Sequence, residues 1–367
     1  MKYDRYELGD LVKIKYGKNQ KAVLDEKGSI PIYGTGGFMA YANKALYDKP
    51  SVLIGRKGTI GKVKFVDHPF WTVDTLFYTE VNEKVVEPKY LYYLMSIIDL
   101  NQYNEGTTIP SLRTETLNRI ELSIPDLEYQ KEILSYMEPL SEKIIVNNKI
   151  NENLLQQAQA VFTQEFLSLD EIPDGWQESS LLGIADYLNG LAMQKFRPKE
   201  GEQGLPILKI KELRQGSCDA SSELCSPSIK PEYIVLDGDV IFSWSGSLLV
   251  DLWCGGTCGL NQHLFKVTSS KYDKWFYYAW TNHHLQKFAA IAADMATTMG
   301  HIKREELAKA EVLVPPRSEY ERIGSLLGPI YDLVISNRIE NRKLAALRDE
   351  LLPKLMTGEL DVSEVSL

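Results

Sequence analysis

Late in each half of the chain, apolar positions recur with a spacing that alternates between four and three residues. This is the 3.5-residue period of a coiled-coil seam, and two such helices in one chain most simply pair antiparallel. Pro139 and Pro329 suit a first helical position better than an interior one, so the pattern predicts a short helix before each proline and a long one after it. The long helix covers about 28 residues, hence about 42 Å. The first series is Ile133, Met137, Leu140, Ile144, Asn147, Asn151, Leu154, Ala158 and Val161, and the second is Ile323, Leu327, Ile330, Val334, Asn337, Asn341, Leu344, Arg348 and Leu351.

Four of these seam positions are asparagines: Asn147, Asn151, Asn337 and Asn341. Buried asparagines that pair across a seam penalise slipped alignments, which makes these residues candidates for setting the register of the coiled coil. The alternative is that the seam opens to solvent at this point and the asparagines are simply hydrated.

Short runs with β-strand character precede each helical region. They lie at 51–55, 62–66 and 73–79 in the first half and at 239–243 and 263–267 in the second, with glycine-rich turns between them. Predicted helices follow at 88–95 and 274–280. This mixture predicts an α+β domain in each half.

The two halves are copies of one plan. Residues 121–133 recur as 311–323, an offset of 190, and the offset drifts to 187 further upstream, pairing Ile54 with Ile241, and to about 174 near the start. The predicted domains are 1–125, a helical spacer 126–170, a second domain 171–315 and a second spacer 316–367. The fold class is therefore α+β, with two mixed domains in a pseudo-twofold repeat, separated by two long helices that form an antiparallel coiled coil.

Composition fits this picture and adds one difficulty. The chain has 367 residues, 44% of them apolar, with a net charge of −9, a balance that counts against a free-standing nucleic-acid binder. The charge is uneven, because residues 1–125 carry 17 basic and 15 acidic residues and residues 126–170 carry 3 and 8. No stretch reaches the apolar length of a membrane span, and no apolar segment of a secretory signal opens the chain, which predicts a cytoplasmic location.

Motifs for catalysis do not match. The glycine-rich stretch 55–63 fails as a phosphate loop because Val63 stands where a metal-binding hydroxyl is needed. There is no Asn-Pro-Pro-aromatic tetrapeptide and no G-x-G-x-x-G fingerprint at a strand–helix junction. Cys218, Cys225, Cys254 and Cys258 have spacings that favour small buried side chains over a zinc site. The sequence predicts no catalytic residue, no metal ligand and no bound cofactor.

Binding chemistry, in contrast, is present twice. Lysines and hydroxyls anchor phosphates, whereas Arg, Asn and Gln can bind base edges. One cluster of charges is a weak signal, but its duplication on a spacer is what a two-part target requires. The candidate DNA-binding residues are Lys13, Lys15, Lys18, Arg56, Lys57, Lys62, Thr107, Thr108 and Arg113 in the first half, and Lys195, Arg197, Lys209, Lys211, Ser243, Trp244, Ser245, Asn261, Gln262, His263, Thr297, Thr298, His301 and Lys303 in the second.

Several motifs resemble the specificity subunit of type I restriction-modification systems. They are residues 238–247 and 261–265, residues 297–302, Val314-Pro315-Pro316 leading into a helix, and the closing 349–360; looser versions lie at 53–59 and 124–127. The resemblance implies two target-recognition domains that each bind one half of a bipartite double-stranded DNA sequence, in a system of defence against foreign DNA. It also implies two methyltransferase subunits bound along the helices, with restriction subunits joining them. S-adenosylmethionine, ATP and Mg²⁺ would then bind those partners.

Two further expectations follow. About 42 Å of helix sets the centres of the two half-sites near one turn of duplex apart. The alternative function is a non-catalytic coiled-coil scaffold whose domains bind protein or glycan.

Overall fold

The computed structural model describes residues 3–294 and 302–364. The chain divides into two compact units. Unit one comprises residues 1–142 and 345–367, and unit two comprises residues 143–344. Each unit therefore takes part of both long helices.

Unit one contains a four-stranded and a three-stranded sheet and a separate two-stranded ribbon. Pro88 opens its second helix at the first helical position, where the missing N–H costs nothing. In chain order the elements are β1 (Asp4–Glu7), α1 (Leu8–Leu11), β2 (Val12–Tyr16), β3 (Ile30–Gly34), β4 (Gly37–Ala42), β5 (Ser51–Gly55), β6 (Val63–Val66), β7 (Trp71–Thr72), β8 (Leu76–Val81), α2 (Pro88–Ser96), α3 (Thr114–Asn118), β9 (Glu121–Ile124) and α4 (Leu127–Phe162).

Unit two follows α4, which continues as a short π-helix over Thr163–Leu167. Its third helix is far longer than the predicted 274–280. The elements are β10 (Gln177–Ser180), α5 (Leu181–Ile184), β11 (Asp186–Asn189), β12 (Leu205–Leu208), α6 (Ile210–Gln215), β13 (Leu224–Cys225), β14 (Ile234–Val235), β15 (Val240–Ser243), β16 (Leu249–Leu252), β17 (Cys258–Leu260), β18 (Leu264–Thr268), α7 (Lys274–Asp294), α8 (Arg304–Ala308), β19 (Glu311–Val314) and α9 (Arg317–Thr357).

The strand order of the main sheet is the same in both units. In unit one it is β2-β8-β5-β6 and in unit two β11-β18-β15-β16, with antiparallel neighbours throughout. The smaller sheets also correspond, since β3 pairs with β7 and β12 with β17 in parallel. The predicted duplication of an α+β domain is thus confirmed.

The hydrogen-bonded ladders correct one detail of the sequence alignment. Ile54 pairs with Phe77, and the equivalent of Phe77 at an offset of 187 is Leu264, which pairs with Ser243. Ile54 therefore corresponds to Ser243, at an offset of 189, and its pairing with Ile241 was wrong. Both alignments keep apolar residues on the same face of the strand, because side-chain direction repeats every two residues, so hydrophobicity could not distinguish them.

The prediction of a helix break at each proline was wrong as well. Both α4, with 36 residues, and α9, with 41 residues, are continuous and run to about 54 Å and about 62 Å. Proline deprives the carbonyl four residues earlier of its partner, and these residues are Ser135 and Ser325. Both are exposed, so water can satisfy their carbonyls.

The core of unit one joins its main sheet to both helices. Leu8, Phe77 and Tyr90 pack with Ile133 of α4 and Leu355 of α9, all fully buried or nearly so. Unit two repeats this arrangement with an aromatic cluster around Phe242 and Phe276. No helix among residues 3–294 and 302–364 has the length and apolar character needed to cross a bilayer.

Candidate nucleic-acid interface

In unit one, polar side chains gather at the corner of the main sheet where β2 and β5 end and β8 begins. The ring of Tyr16 is 52% exposed, and the guanidinium carbon of Arg56 lies 5.3 Å from its centroid. Arg56 Nη1 donates to the Asp74 carbonyl over 2.9 Å. We call Tyr16, Arg56, Lys57, Asp74 and the adjoining loop 104–113 corner one. It presents a cation on an aromatic face, a combination suited to phosphate or base stacking.

The loop 104–113 is shaped by its first residue. Asn104 Oδ1 accepts from the backbone N–H groups of Gly106 and Ser111, each over 2.9 Å. Lys57 forms an isolated β-bridge with Ser111, which fastens the loop to the end of β5. The loop carries Thr107 and Thr108, both exposed, and Arg113, whose Nε lies 3.1 Å from Glu105 Oε2. The structure therefore brings Arg56, Lys57, Thr107, Thr108 and Arg113 together.

Unit two assembles a different set at the corresponding corner. Trp244 Nε1 donates to Asn189 Oδ1 over 3.0 Å, and the Trp244 ring lies 6.2 Å from that of His263. Ser245 Oγ lies 3.2 Å from His263 Nδ1, and Gln262 Nε2 lies 3.3 Å from His263 Nε2. Asn261, 8% exposed, accepts from the His263 N–H. We call Asn189, Ser243–Ser245 and Asn261–His263 corner two.

The two corners occupy equivalent places in the two sheets. Corner one lies where β2 and β5 end and β8 begins. Corner two lies where β11 and β15 end and β18 begins. Through the ladders Lys15 corresponds to Asn189, Arg56 to Ser245 and Asp74 to Asn261. The same backbone position thus holds unlike side chains in the two units.

Four predicted lysines of unit one, Lys13, Lys15, Lys18 and Lys62, are exposed. Lys13 lies opposite Glu80 in the ladder, and Lys15 Nζ is 3.8 Å from Glu80 Oε2. The Lys18 N–H donates to the Thr72 carbonyl, so Lys18 follows β2 beside the segment that contains Asp74.

Three predicted cations of unit two also lie against carboxylates. Arg197 Nη2 and Lys209 Nζ both hydrogen-bond Glu223, and these contacts hold the pKa of Glu223 below its ordinary value. Lys211 Nζ lies 3.7 Å from Asp219. Much of their charge is thus neutralised within the unit, which the sequence did not predict, because Glu223 lies 26 residues from Arg197.

The remaining candidates lie around corner two or outside the described residues. Lys195 is exposed. Lys303 is exposed and follows Ile302, whose N–H donates to the Trp244 carbonyl over 3.0 Å. Thr297, Thr298 and His301 lie outside the residues that the structure describes.

Two residues at the corners, Asn189 and Asn104, were not predicted from the sequence. Asn189 orients the indole of Trp244, and Asn104 forms the loop of corner one. Alignment of β2 with β11 would have found Asn189, since it corresponds to the candidate Lys15. Asn104 carried no repeat signal, because its role is local to one loop.

The seam asparagines meet one another in unit two. Asn147 Nδ2 donates to Asn341 Oδ1 and Asn337 Nδ2 to Asn151 Oδ1, each over 2.9 Å. Asn147 and Asn151 are only 1% and 5% exposed, whereas Asn337 and Asn341 are half-buried, so their role in setting the register stays a prediction.

The cysteines are free thiols and mostly part of a core. Cys225, Cys254 and Cys258 are buried, and burial raises the pKa of Cys254 to about 11. A hydrogen bond with Cys218 raises the pKa of Cys258 above its ordinary value. Within residues 3–294 and 302–364, no group of three or more His, Cys, Asp or Glu side chains is placed to hold a metal ion.

Two sheets of the same topology with polar side chains at equivalent corners, carried by helices that pair through a seam, define a protein built from two repeated α+β domains. The chain belongs to the family described as the type I restriction modification DNA specificity domain, whose model matches residues 2–156 and 173–348. It is thus a non-catalytic DNA sequence-recognition component of a larger complex.

Proteins similar to this chain are named as members of the same family. The type I restriction enzyme MjaIX specificity subunit of Methanocaldococcus jannaschii is 25% identical over 346 residues, covering 87% of this chain and 80% of the relative. The HindI specificity subunit of Haemophilus influenzae is 20% identical over 386 residues, covering 82% and 84%. The crystal structure of the type I restriction-modification S subunit from M. genitalium aligns with a TM-score of 0.65 at 15% identity, covering 97% of this chain and 96% of that one. That last likeness supports the fold.

Proposed function

We propose that the recognition domains at 1–125 and 171–315 each bind one half of a bipartite DNA sequence, corner one contacting one half and corner two the other. The observation that carries this proposal is the placement of two unlike polar corners at the same position of two sheets with the same topology. Identical domains would bind a symmetric sequence, so the different side chains favour an asymmetric one.

The helical segments 126–170 and 316–367 serve as the spacer and as the docking surface for two methyltransferase subunits, and restriction subunits join that assembly. S-adenosylmethionine, ATP and Mg²⁺ bind these partners, and the complex acts in the cytoplasm. Partner binding also accounts for the acidic charge, because partners that neutralise phosphates relieve this chain of doing so. The isolated chain should therefore bind DNA weakly at physiological salt, and nanomolar specific binding by the purified chain would contradict this.

Methylome sequencing tests the proposal directly. Cells that express the chain with its methyltransferase subunits should gain one asymmetric bipartite motif of adenine methylation, and cells that lack the chain should not. Replacement of residues 171–315 by the corresponding domain of a relative should change one half of that motif and leave the other half unchanged. An unchanged methylome, or a change in both halves, would refute the assignment.

Helix length gives a second test. Seven residues inserted at the equivalent seam position of α4 and α9 preserve the 3.5-residue period and add about 10 Å of helix, the length of about three base pairs. The spacer of the methylated motif should become longer, with both half-sites kept. An unchanged spacer would show that helix length does not set it.

A further inference from the structure

Within unit two, one face of α9 holds the main sheet through two arginines. Ile335, Arg338 and Arg342 are spaced by three and then four residues, so they lie on one side of the helix. Tyr331, one turn earlier, stacks edge to face on Tyr278 of α7 with ring centroids 5.0 Å apart. The first part of this face packs through apolar and aromatic side chains, and its last part contacts the domain through the charged side chains of Arg338 and Arg342.

Arg342 makes the more complete contact. Its Nη1 and Nη2 donate to Asp237 Oδ1 and Oδ2, each over 2.7 Å, in a two-pronged pair. Nη1 also donates to the Cys254 carbonyl over 2.7 Å. Asp237 Oδ1 in addition accepts from the Gly256 N–H over 2.8 Å. Arginine alone supplies the planar fork that this geometry needs.

Arg338 holds the neighbouring strand. Its Nη1 donates to Asp251 Oδ1 over 2.7 Å and to the Leu252 carbonyl over 3.0 Å, both in β16. The side chains of the four charged residues are only 23–35% exposed. Partial burial limits screening by solvent and salt, so these pairs constrain the domain more than surface ion pairs do. We call Arg338, Arg342, Asp237 and Asp251 the arginine clamp.

The backbone is shaped to admit the clamp. Gly256 has a φ of +92°, and a Cβ at this position would lie 3.2 Å from Arg342 Nη1. A side chain at residue 256 would therefore be strained and would crowd the guanidinium. The turn that carries Gly256 joins β16 to β17, so the clamp grips a segment next to both sheets of the domain.

The clamp has no sequence counterpart in the first repeat. At the offset of 190, Arg338 corresponds to Asn148 and Arg342 to Glu152. Since neither residue is cationic, this chemistry belongs to one recognition domain only.

We propose that Arg338 and Arg342 are positioning residues for DNA recognition: by fixing recognition domain two on α9, they set a single spacer length between the two half-sites. This inference rests on the proposed function. The arginines contact no base in this scheme. They determine where corner two is presented, whereas the corner itself determines which bases are bound.

The experiment is a methylome comparison of the full chain, expressed with its methyltransferase subunits, as wild type, R338A/R342A and R342K. The double variant should keep both half-site sequences but methylate sites whose spacer is one base pair longer or shorter about tenfold more often than wild type, since loss of a charge-assisted pair removes at least that much discrimination. R342K keeps the charge but loses the fork, so it should show the same change to a smaller extent.

K343A is the matched control, because it removes a cation from the next helical position, which is exposed. It should retain the wild-type spacer. Thermal unfolding of each complex checks that the variants are folded, and a merely structural role would lower the unfolding temperature without changing the spacer.

Each other outcome overturns a distinct claim. A folded double variant with the single wild-type spacer would refute the clamp, as would altered bases in either half-site. Loss of all methylation in both clamp variants, with the complexes folded, would also refute it. A wild-type chain that directs no bipartite motif would instead refute the proposed function.

Discussion

Corner one and corner two stand at the same place in two copies of one sheet, yet they offer different chemistry. Corner one presents Arg56, Lys57 and Arg113 around an exposed tyrosine, whereas corner two presents Gln262 and His263 beside a half-buried tryptophan, with Ser245 buried in contact with His263. Lysines and hydroxyls anchor phosphates at any sequence, whereas Arg, Asn and Gln side chains can bind base edges. Under the proposed function, duplication therefore preserves where DNA is contacted and leaves how it is contacted free to change.

The largest effect should follow from removing the hydrogen-bonding groups of corner two. In a complex that carries Q262A/H263A, methylation of the wild-type motif should fall by about 100-fold, since each good base contact contributes about 1–3 kcal/mol. Base preference should relax in one half-site only. Motif analysis of the methylome measures both effects, and K271A, which alters an exposed residue after β18, serves as the control. Relaxation in both half-sites would contradict the separation of the two corners.

Corner one should behave differently when the lysines of the segment between β5 and β6 are removed. K57A/K62A, which removes two exposed lysines, should lower the affinity of the complex about tenfold for matched and mismatched DNA alike, because phosphate contacts carry no sequence information. The slope of log K against log salt should decrease in magnitude by about 2, one unit for each lost phosphate contact. Salt titrations of DNA binding give this slope. K44A/K49A removes two exposed cations elsewhere in unit one and should leave the slope nearer its wild-type value; an equal loss would show that corner one is not special.

Periodic features of the fold were predictable from the sequence, and isolated contacts were not. The strand over Ser51–Gly55 and the helix that starts at Pro88 were both predicted, because each is bounded by turn residues and has an apolar face. The seam was predicted for the same reason. The neutralisation of Arg197 by Glu223 was missed, since it joins residues on separate segments. The continuous helices through Pro139 and Pro329 were missed because the residues whose carbonyls each proline frees, Ser135 and Ser325, are exposed and open to water, which the sequence rule for proline does not consider.

The seam joins α4 of the first repeat to α9 of the second. Its two asparagine pairs differ in their hydrogen bonds. Among the residues that the structure describes, Asn151 Nδ2 is buried without a hydrogen-bond partner, whereas Asn147 Nδ2 donates to both Asn341 and Glu340. N151L/N337L should thus raise the free energy of unfolding by about 1–2 kcal/mol, because it removes an unsatisfied polar group. N147L/N341L should gain less, since Glu340 loses a partner. Thermal unfolding of the two double variants compares them, and equal gains would contradict this ranking.

The smallest expected effect is a change in the pH dependence of stability, and it concerns only recognition domain two, residues 171–315. Hydrogen bonds from Arg342 hold the pKa of Asp237 below its ordinary value in the folded state. The stabilisation is therefore complete above the pKa of the unfolded carboxyl, near 4, and is lost as the pH falls through the lower folded value. Wild type should lose stability toward acid more steeply than D237N, as measured by unfolding temperature from pH 6 to pH 3. Parallel profiles would show that this carboxylate contributes nothing to the acid response.

The seam asparagines carry a consequence for assembly. Under the offset of 190, Asn147 becomes Asn337 and Asn341 becomes Asn151, so each hydrogen-bonded pair is converted into the other. These two hydrogen bonds are therefore the same whether they are followed from α4 to α9 or from α9 to α4, although Glu340 joins only one of the pairs. Under the proposed function, a seam that repeats in this way gives two copies of one partner similar helical surfaces. If the proposal holds, polarity along the DNA comes mainly from the recognition domains, and a chain with an asymmetric target can carry two copies of the same partner.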